Sequence, residues 1–379
     1  MYRAWFRARG TDARLTPRRI LVLVIFSLLF VGLQLISRIC WVLDAVFFSQ
    51  YRRVVVREPV FIVGPPRSAT TFMQRLLAQD RDRFTGMALW EIVLAPTVIQ
   101  KVCLRWLGQA DRWLGGHLKR AVLTWEKSFF GRVGHMHKIS LWSPEEDDPL
   151  FLFAFASAYL NFFFPFPSAV QRFTRFDDDV PAATRTRLMR WYRACIQKHL
   201  LVYGPDKQYL AKNPAFSPKI RSLQETFPDA CFVGMLRDPA QAVPSAMSLF
   251  AAIYPAFGSP IQPVPLQAES LTMLRDWYLR LLAAPRLPDI RIRLITYPEM
   301  ARYPGLSVRN LYADAGWDMT PDFMRVLEAA DTQAATWKST HQYDLALTGM
   351  TAEAFDQFFT PVYTQLQTIG YHDTPIGYT

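Results

Sequence analysis

The segment from Val60 to Met73, with the sequence VFIVGPPRSATTFM, constrains the fold of this 379-residue chain more than any other. A short apolar run of the strand type leads into a Gly-Pro-Pro turn and then into residues that suit a helix. A loop between a strand and a helix directs backbone N–H groups at an anion. Ser68, Thr70 and Thr71 add hydroxyl donors. Arg67 adds a guanidinium suited to phosphate or sulfate oxygens, so the segment predicts an anion-binding loop.

Strand-like and helical runs alternate along the rest of the chain. Apolar runs typical of buried strands occur at 60–63, 231–236 and 290–296, and helical patterns follow them at 70–79, 241–250 and 306–315. This alternation predicts an α/β fold with a parallel β-sheet flanked by helices. The intervening stretch 86–203 is mostly helical in pattern. Its most apolar part, 151–166, fits a buried core helix, with the wall of an apolar pocket or a membrane-docking surface as the alternative.

The loop departs from the Walker A pattern of ATP- and GTP-using P-loop enzymes, G-x-x-x-x-G-K-[ST]. Counted from Gly64, Ala69 stands in place of the second glycine and Thr70 in place of the lysine. The side chain that would reach the β- and γ-phosphates is therefore missing. This argues against a P-loop kinase or NTPase.

A second anion-binding element follows the strand at 231–236. Arg237 closes that strand in the run RDPAQAVPS, and Ser245 lies eight residues further on, on the next helix. In open α/β sheets ligands bind at the carboxyl ends of the strands, where both elements fall. Arg237 and Ser245 are therefore predicted to converge on one anion beside the first loop.

These two elements resemble the phosphate motifs of the sulfotransferases that use 3′-phosphoadenosine 5′-phosphosulfate (PAPS). PPRSATTF is similar to their 5′-phosphosulfate loop, and the RDP…S run, with its Arg-to-Ser spacing, is similar to their 3′-phosphate motif. Lys212-Asn-Pro and the later FPDA run resemble the bacterial and tyrosylprotein-type branches, and 336–345 looks like the segment that returns to the cofactor. The resemblance covers about residues 59–370. It departs from the family at Ala69, where glycine is usual.

The resemblance implies a P-loop-like sulfotransferase fold and in-line transfer of the sulfuryl group of PAPS to a hydroxyl acceptor, with no metal ion. It implies that the first loop binds the 5′-phosphate and the bridging oxygen, and that Lys212 reaches the sulfuryl group. Arg237 and Ser245 would bind the 3′-phosphate, with Lys338 as a further contact. The residues implied to bind the cofactor are Arg67, Ser68, Ala69, Thr70, Thr71, Arg237, Ser245 and Lys338.

A general base must lie near the acceptor hydroxyl. The resemblance implies a glutamate at about the position of Glu91, so the catalytic set is Glu91, Lys212 and Arg67. Glu91 lies among apolar residues, and burial is expected to raise the pKa of its carboxyl. His137, in a His-x-His pair, is the alternative base. The acidic run 145–148 is expected to cap a helix N-terminus, with contact between Glu146 and the acceptor as the alternative.

The N-terminal segment is basic and apolar. Residues 1–57 hold ten Arg and two Asp, a net charge of +8, whereas the rest of the chain holds 33 basic and 30 acidic residues, a net charge of +3. A nucleic-acid footprint would lie on the folded domain, so this distribution favours an anionic membrane face. The stretch 20–36 carries no charge and predicts an anchor that either spans the bilayer or lies in its plane. A core helix of a soluble domain is the remaining alternative.

The predicted organisation is a basic segment at 1–57, with a hydrophobic membrane anchor at about 20–48, and a sulfotransferase domain at 58–379. Four cysteines without a C-x-x-C pair exclude a disulfide scaffold and argue against structural zinc. The anchor favours an apolar or lipid-linked acceptor. The domain must face a compartment that contains PAPS, which for a bacterial-type enzyme is the cytoplasm. The competing interpretations are a non-catalytic nucleotide-binding membrane protein and a P-loop kinase or NTPase.

Overall fold

A five-stranded parallel β-sheet lies at the centre of the computed structural model, which describes residues 5, 6, 8, 14–130, 140–164, 167–256, 264–336 and 344–371. The strands are β1 (Val60–Val63), β2 (Phe84–Thr85), β3 (Gln208–Lys212), β4 (Cys231–Leu236) and β5 (Arg291–Thr296). Their order across the sheet is β2-β3-β1-β4-β5, and every pairing is parallel. The predicted fold class is thereby confirmed.

Helices cover both faces of the sheet. The α-helices are α1 (Pro17–Phe47), α2 (Thr70–Leu77), α3 (Leu89–Leu94), α4 (Val98–Trp113), α5 (His117–Phe130), α6 (Leu160–Phe163), α7 (Pro167–Thr174), α8 (Phe176–Asp179), α9 (Ala182–Tyr203), α10 (Ile220–Thr226), α11 (Pro239–Ala256), α12 (Val264–Ala283), α13 (Tyr297–Arg302), α14 (Pro304–Ala315), α15 (Pro321–Thr336) and α16 (Ala352–Thr368). Short 3-10 helices cover Ser49–Arg53, Asp148–Ala154, Pro214–Lys219, Ala284–Arg286 and Leu345–Thr348.

The apolar strand β1 occupies the middle of the sheet because side chains on both of its faces are buried, as is usual where helices cover both faces of a parallel sheet. Side chains alternate between the two faces. Phe61 joins the apolar cluster that includes residues of α9, α12 and α16, whereas Ile62 joins the cluster that includes residues of α2, α14 and α15. The parallel register ends β1, β3 and β4 at the same edge of the sheet. The loops that follow these three strands therefore meet there.

The predicted helices 241–250 and 306–315 both begin earlier than expected, at Pro239 and Pro304. Proline suits the first turn of a helix, where its missing N–H removes no hydrogen bond. Helix α14 ends as expected at Gly316, whose φ of +69° closes the helix in the left-handed conformation. The strand β2 has only two residues and was not predicted.

The prediction of one buried helix over 151–166 is wrong within the part that the structure describes. A 3-10 helix ends at Ala154, and Phe155 follows with a φ of +52°. Few residues with a Cβ atom adopt this left-handed conformation, and it interrupts a helix. The chain returns to α-helix only for the single turn Leu160–Phe163. An apolar composition does not reveal such a break.

Helix α1 packs along the folded domain. Leu23 belongs to the larger apolar cluster, the ring of Phe26 lies 4.5 Å from that of Phe163, and Trp41 stacks on Trp191. By length and composition alone, α1 is also long and apolar enough to cross a membrane. The division of the chain at residue 57 stays a prediction, and these packing contacts cross it.

Candidate active site

The predicted anion-binding loop joins β1 to α2 at the carboxyl edge of the sheet. A Cβ atom on Gly64 would lie only 2.4 Å from the carbonyl oxygen of Met235 in β4, so only glycine fits at this position. Ala69 precedes α2 with a φ of +65° and a ψ of 16°. This left-handed conformation costs an L-residue about 1 kcal/mol. The loop thus holds an alanine in a backbone conformation that favours glycine.

The structure brings the two predicted phosphate elements together. The Nε of Arg67 donates a hydrogen bond of 2.9 Å to the Oγ of Ser245, which lies on α11. The Nη1 of Arg237, directly after β4, donates one of 2.9 Å to the backbone oxygen of Arg67. Ser245 lies 178 positions after Arg67 in the chain, and Arg237 lies 170 positions after it. The three residues nevertheless form one cluster at the junction of β1 and β4.

Arg237 is oriented by three further contacts. Its guanidinium lies 4.1 Å from the ring centroid of Tyr297, and its Nε donates to Oε1 of Gln241 at 3.2 Å. Its backbone oxygen accepts from the hydroxyl of Tyr278 at 2.7 Å. A guanidinium that is stacked and hydrogen-bonded in this way is held ready for an anion, because little conformational freedom remains to be lost.

Lys212 lies on the other side of β1, at the end of β3. The register places it beside Ile62, and its Nζ is fully buried, 2.7 Å from Oε1 of Glu146. The hydroxyl of Tyr159 donates to the other oxygen of Glu146. The alternative reading of Glu146, contact with an acceptor, is compatible with its position beside this lysine, and its side chain is partly exposed.

Two buried polar groups at this edge lack hydrogen-bond partners among the described residues. One is the Oγ of Ser68 in the loop, and the other is Nδ2 of Asn213, directly after Lys212. Buried polar atoms are normally satisfied, so such groups at a loop of this kind fit an anionic ligand that would bond to them. Thr70 is buried and Thr71 half-buried, both in the first turn of α2. The residues present therefore suit a bound phosphosulfate.

Glu91 is buried, as expected, but its environment differs from the expected one. Its Oε1 accepts from Nζ of Lys101 at 2.8 Å and faces Nδ1 of His199 at 3.1 Å, and its Oε2 accepts from the backbone N–H of Ala88 at 2.9 Å. Burial alone would raise the pKa of Glu91. The positive charges and hydrogen bonds of His199 and Lys101 instead lower it to about 2, so the expected rise is wrong.

The acidic run 145–148 does not cap a helix in the way that we expected. Asp147, at the N-cap position of the 3-10 helix, makes no side-chain capping bond. It is buried and accepts hydrogen bonds from the hydroxyls of Tyr192 and Tyr209. Asp148 is buried as well, and it pairs with Nζ of Lys219 at 2.6 Å. The carboxylates turn inward because buried tyrosines and a buried lysine offer them partners.

Glu145 is a candidate that the sequence analysis missed. Its backbone N–H donates to the oxygen of Met87, its side chain is buried, and its Oε1 has no hydrogen-bond partner among the described residues. Burial raises the pKa of Glu145 to about 7, although the charge of Lys212 opposes the rise. A pKa near neutrality suits a group that exchanges protons. No local pattern distinguishes Glu145, because any acid of the run 145–148 suits a helix N-terminus.

Two predicted residues lie outside the described part of the chain. These are Lys338, implied to contact the 3′-phosphate, and His137, the alternative base. Within the described part, no cluster of three His, Cys, Asp or Glu side chains is arranged to hold a metal ion.

Comparisons with known proteins agree with this geometry. A family model described as the sulfotransferase family matches residues 59–321. Two curated relatives, both named omega-hydroxy-beta-dihydromenaquinone-9 sulfotransferase Stf3, come from Mycobacterium bovis and Mycobacterium tuberculosis. Each is 28% identical over 298 residues, which cover 77% of this chain and 71% of the relative.

Solved structures show the same fold. Sulfotransferase STF9 from Mycobacterium avium superposes with a TM-score of 0.65 at 20% identity, covering 87% of this chain and 81% of STF9. Sulfotransferase STF1 from Mycobacterium tuberculosis H37Rv gives 0.63 at 18% identity, covering 88% and 84%. The family match spans well over half of the chain and contains both phosphate elements. The chain therefore belongs to the sulfotransferase family and is a sulfotransferase enzyme.

Proposed function

We propose that this enzyme transfers the sulfuryl group of PAPS to a hydroxyl on an apolar or lipid-linked acceptor. The observation that carries the proposal is the junction of β1 and β4, where Arg67, Ser245 and Arg237 form one hydrogen-bonded cluster. Family membership supports sulfuryl transfer in general. The buried, unsatisfied hydroxyl of Ser68 supports an anionic ligand at this loop.

In this proposal PAPS supplies the activated sulfuryl group, and the chain supplies positioning and charge. The N–H groups of the loop and the guanidinium of Arg67 hold the 5′-phosphate, helped by the hydroxyls of Ser68, Thr70 and Thr71. Arg237 and Ser245 hold the 3′-phosphate, with Lys338 as a further contact. Lys212 stabilises the charge that develops on the leaving oxygen, and its burial strengthens that interaction.

Two carboxylates are candidates for the general base that accepts the proton of the acceptor hydroxyl. Glu91 stays the prediction from the sequence, although both of its oxygens already accept hydrogen bonds from three donors. We add Glu145, because one of its oxygens has no partner among the described residues and Lys212 lies close enough to influence its charge. A general base needs an oxygen that can reach the acceptor, and this condition favours Glu145.

The apolar acceptor is supported by a chain of aromatic side chains. Tyr159, which donates to Glu146, has its ring 5.7 Å from that of Phe162. The next residue, Phe163, contacts Phe26 of α1. An apolar path thus joins α1 to the carboxylate beside Lys212. The curated relatives are named for a menaquinone substrate with an omega-hydroxyl group, and we propose an acceptor of this class, a lipid with a hydroxyl group.

Binding of 3′,5′-adenosine bisphosphate, measured by calorimetry on the full chain in detergent, tests the cofactor. We expect it to bind more tightly than ATP or GTP, and Arg237→Ala to weaken it by at least about tenfold, as loss of a charge-assisted contact would. The matched control is Arg302→Ala, an exposed arginine at the end of α13. A folded protein that prefers ATP would favour a kinase, and one that binds no nucleotide would contradict the proposal.

Transfer of labelled sulfuryl from PAPS to a panel of acceptors tests the second half of the proposal. We expect product with hydroxylated isoprenoid lipids and none with soluble sugars. A protein that binds the bisphosphate but sulfates only sugars would contradict the apolar acceptor while keeping the cofactor. A protein that binds the bisphosphate, transfers sulfuryl to no acceptor and functions unchanged after Lys212→Ala would favour the non-catalytic nucleotide-binding protein.

A further inference from the structure

Helix α1 is fixed to the domain along its whole length. At its start, a guanidinium nitrogen of Arg19 donates to the backbone oxygen of Phe163 at 3.2 Å. In its middle, Nε2 of Gln34 donates to the oxygen of Phe153 at 3.1 Å. At its end, the buried carboxylate of Asp44 accepts from backbone N–H groups of α4 and pairs with Nζ of Lys198 at 3.0 Å. The first and last of these contacts, at Arg19 and Asp44, are 25 residues apart. They hold nearly 40 Å of helix against the protein, at about 1.5 Å per residue.

The opposite side of α1 is apolar and exposed. Its outward side chains include Leu28 and Leu29, each about 70% exposed, and further residues before and after them: Leu21, Val24, Ile25, Leu35, Ile36, Ile39, Val42, Val46 and Phe47. An exposed apolar surface of this length is unusual on a soluble protein and indicates an interaction site.

Helices α4 and α5 extend this surface. Helix α4 packs beside α1, because Nε2 of Gln100 donates to Oγ of Ser37 at 3.1 Å and Asp44 holds its first turn. Large apolar side chains on α4, α5 and the turn between them are exposed: Trp106, Leu107, Trp113, Leu114, Leu118 and Trp125. We call the outward side chains of α1, α4 and α5 the docking face. Exposed tryptophans are typical of groups that sit at the headgroup level of a bilayer.

The charges around the docking face have one sign. In residues 14–57 and 98–130 the exposed charged side chains are all cationic: Arg14, Arg18, Arg38, Arg52, Arg53, Arg57, Arg105, Arg112, Lys119, Arg120 and Lys127. The acids in these segments turn inward instead. Asp44 and Asp111 accept backbone N–H groups, and Glu126 accepts from the N–H of Leu141. A surface that combines apolar side chains, tryptophans and cations is complementary to anionic lipid.

We propose that the docking face lies flat on an anionic bilayer, with α1 in the plane of the membrane and the domain on one side. Spanning would draw Asp44 and Lys198 into the hydrocarbon together with α4 and α9, whereas in-plane docking buries only the exposed sides of α1, α4 and α5. The inference stands on α1, α4 and α5 alone. It holds whatever the acceptor is.

Flotation of the full chain with vesicles tests the docking face. We expect binding to vesicles that contain phosphatidylglycerol and at least tenfold weaker binding to pure phosphatidylcholine. The double variant Arg112→Glu, Trp113→Ala should weaken binding to the anionic vesicles by tenfold or more. The matched control Arg302→Glu, Tyr303→Ala changes the same kinds of exposed residue at the end of α13 and should bind within twofold of the unchanged chain.

Labelling distinguishes the two anchoring modes. In a Cys40→Ser, Cys103→Ser background, where the two remaining cysteines are buried, one cysteine introduced at a time as Arg14→Cys, Gln50→Cys or Met324→Cys reports an end of α1 or the domain. In sealed membrane vesicles from the expression host, an impermeant maleimide should label all three from the same side. Opposite accessibility of the two ends of α1 would establish a spanning helix and overturn the proposal. Equal flotation with both lipids, or a dimer that binds no vesicle, would overturn it as well.

Discussion

Glu91 and Glu145 are both buried glutamates, yet their surroundings move their pKa values in opposite directions. Glu91 accepts from Lys101 and His199, and the result is a pKa of about 2, whereas the pKa of Glu145 rises to about 7. At pH 7 the carboxyl of Glu91 is therefore ionised, whereas that of Glu145 is partly protonated and can gain or lose a proton. The two residues are therefore suited to different tasks, one to positioning and one to proton transfer.

The variant Glu145→Gln tests this difference. A base with a pKa of about 7 is active only when it has lost its proton, so the rate of the unchanged enzyme should fall as pH drops through about 7. Glu145→Gln should lower kcat by about 10²–10⁴ and abolish this acidic limb. The measurement is the pH profile of kcat with a lipid acceptor.

Glu91→Gln is the comparison for the same measurement. It should keep the acidic limb but lower the stability of the fold, because it weakens the partner of the buried Lys101. A Glu91 variant that stays folded and loses kcat, beside a Glu145 variant that keeps it, would instead make Glu91 the base, as the sequence predicted.

The sequence could predict residues whose roles follow from a local pattern. Arg67 to Thr71 follow a buried strand and open a helix, and Arg237 and Ser245 do so again, so their meeting at one sheet edge follows from parallel topology. The partners of Glu91 could not be predicted in this way. Lys101 and His199 lie 10 and 108 positions away, and only the packing of α4 and α9 brings them to the carboxylate.

At the scale of elements, an apolar helix is ambiguous in sequence. The run in α1 suits a helix that crosses a bilayer, one that lies in its plane and one that packs in a core, since all three need the same composition. The single acid in this helix, Asp44, attaches it to the domain, because it accepts hydrogen bonds from the N–H groups of Val98 and Ile99. Its partners lie 54 and 55 positions away, beyond the reach of any periodicity.

Asp44→Asn tests the attachment of α1. The amide removes the charge that pairs with the fully buried Lys198, so we expect a loss of roughly 3 kcal/mol in the free energy of unfolding. Denaturant unfolding followed by circular dichroism measures this loss. Adding Lys198→Met should recover part of it, because the double variant leaves no buried cation without its partner.

Asp111→Asn is the matched control. Asp111 also accepts two backbone N–H groups, from Leu118 and Lys119, but no cation lies within ion-pair distance among the described residues. Its loss of stability should be clearly smaller. Equal losses in both variants would show that helix capping, rather than the pairing with Lys198, attaches α1.

At the scale of the whole molecule, α1 is part of the larger apolar cluster. Leu23 is buried in it, and Phe26 and Trp41 pack against it, on the same side of the sheet as α9 and α12. The structure thus gives this helix two surfaces, an inner one that completes the fold and an outer one that meets the surroundings.

Deletion of residues 1–47 tests the inner surface. It would uncover the rings of Phe163 and Trp191 and leave Lys198 unpaired, so we expect insoluble protein or a melting temperature lower by at least about 5 °C. Differential scanning calorimetry of the purified chain measures it.

The control leaves the inner surface intact and changes the outer one. Leu28→Gln with Leu29→Gln should melt within about 2 °C of the unchanged chain, because surface substitutions change stability little. If residues 48–379 melt like the full chain, α1 contributes nothing to the fold, and the boundary that the sequence predicted near residue 57 holds.

The uniform sign of the charges around α1, α4 and α5 has a consequence for the molecule before it reaches a membrane. Two copies that met through their docking faces would bring arginines close to arginines. We expect this repulsion to keep newly synthesised chains apart. Salt weakens the protection, since the Debye length shortens to about 10 Å at 0.1 M. The side chains that we propose to bind lipid would therefore also keep the chain soluble before it reaches the membrane. The enzyme should aggregate most readily in concentrated salt without lipid.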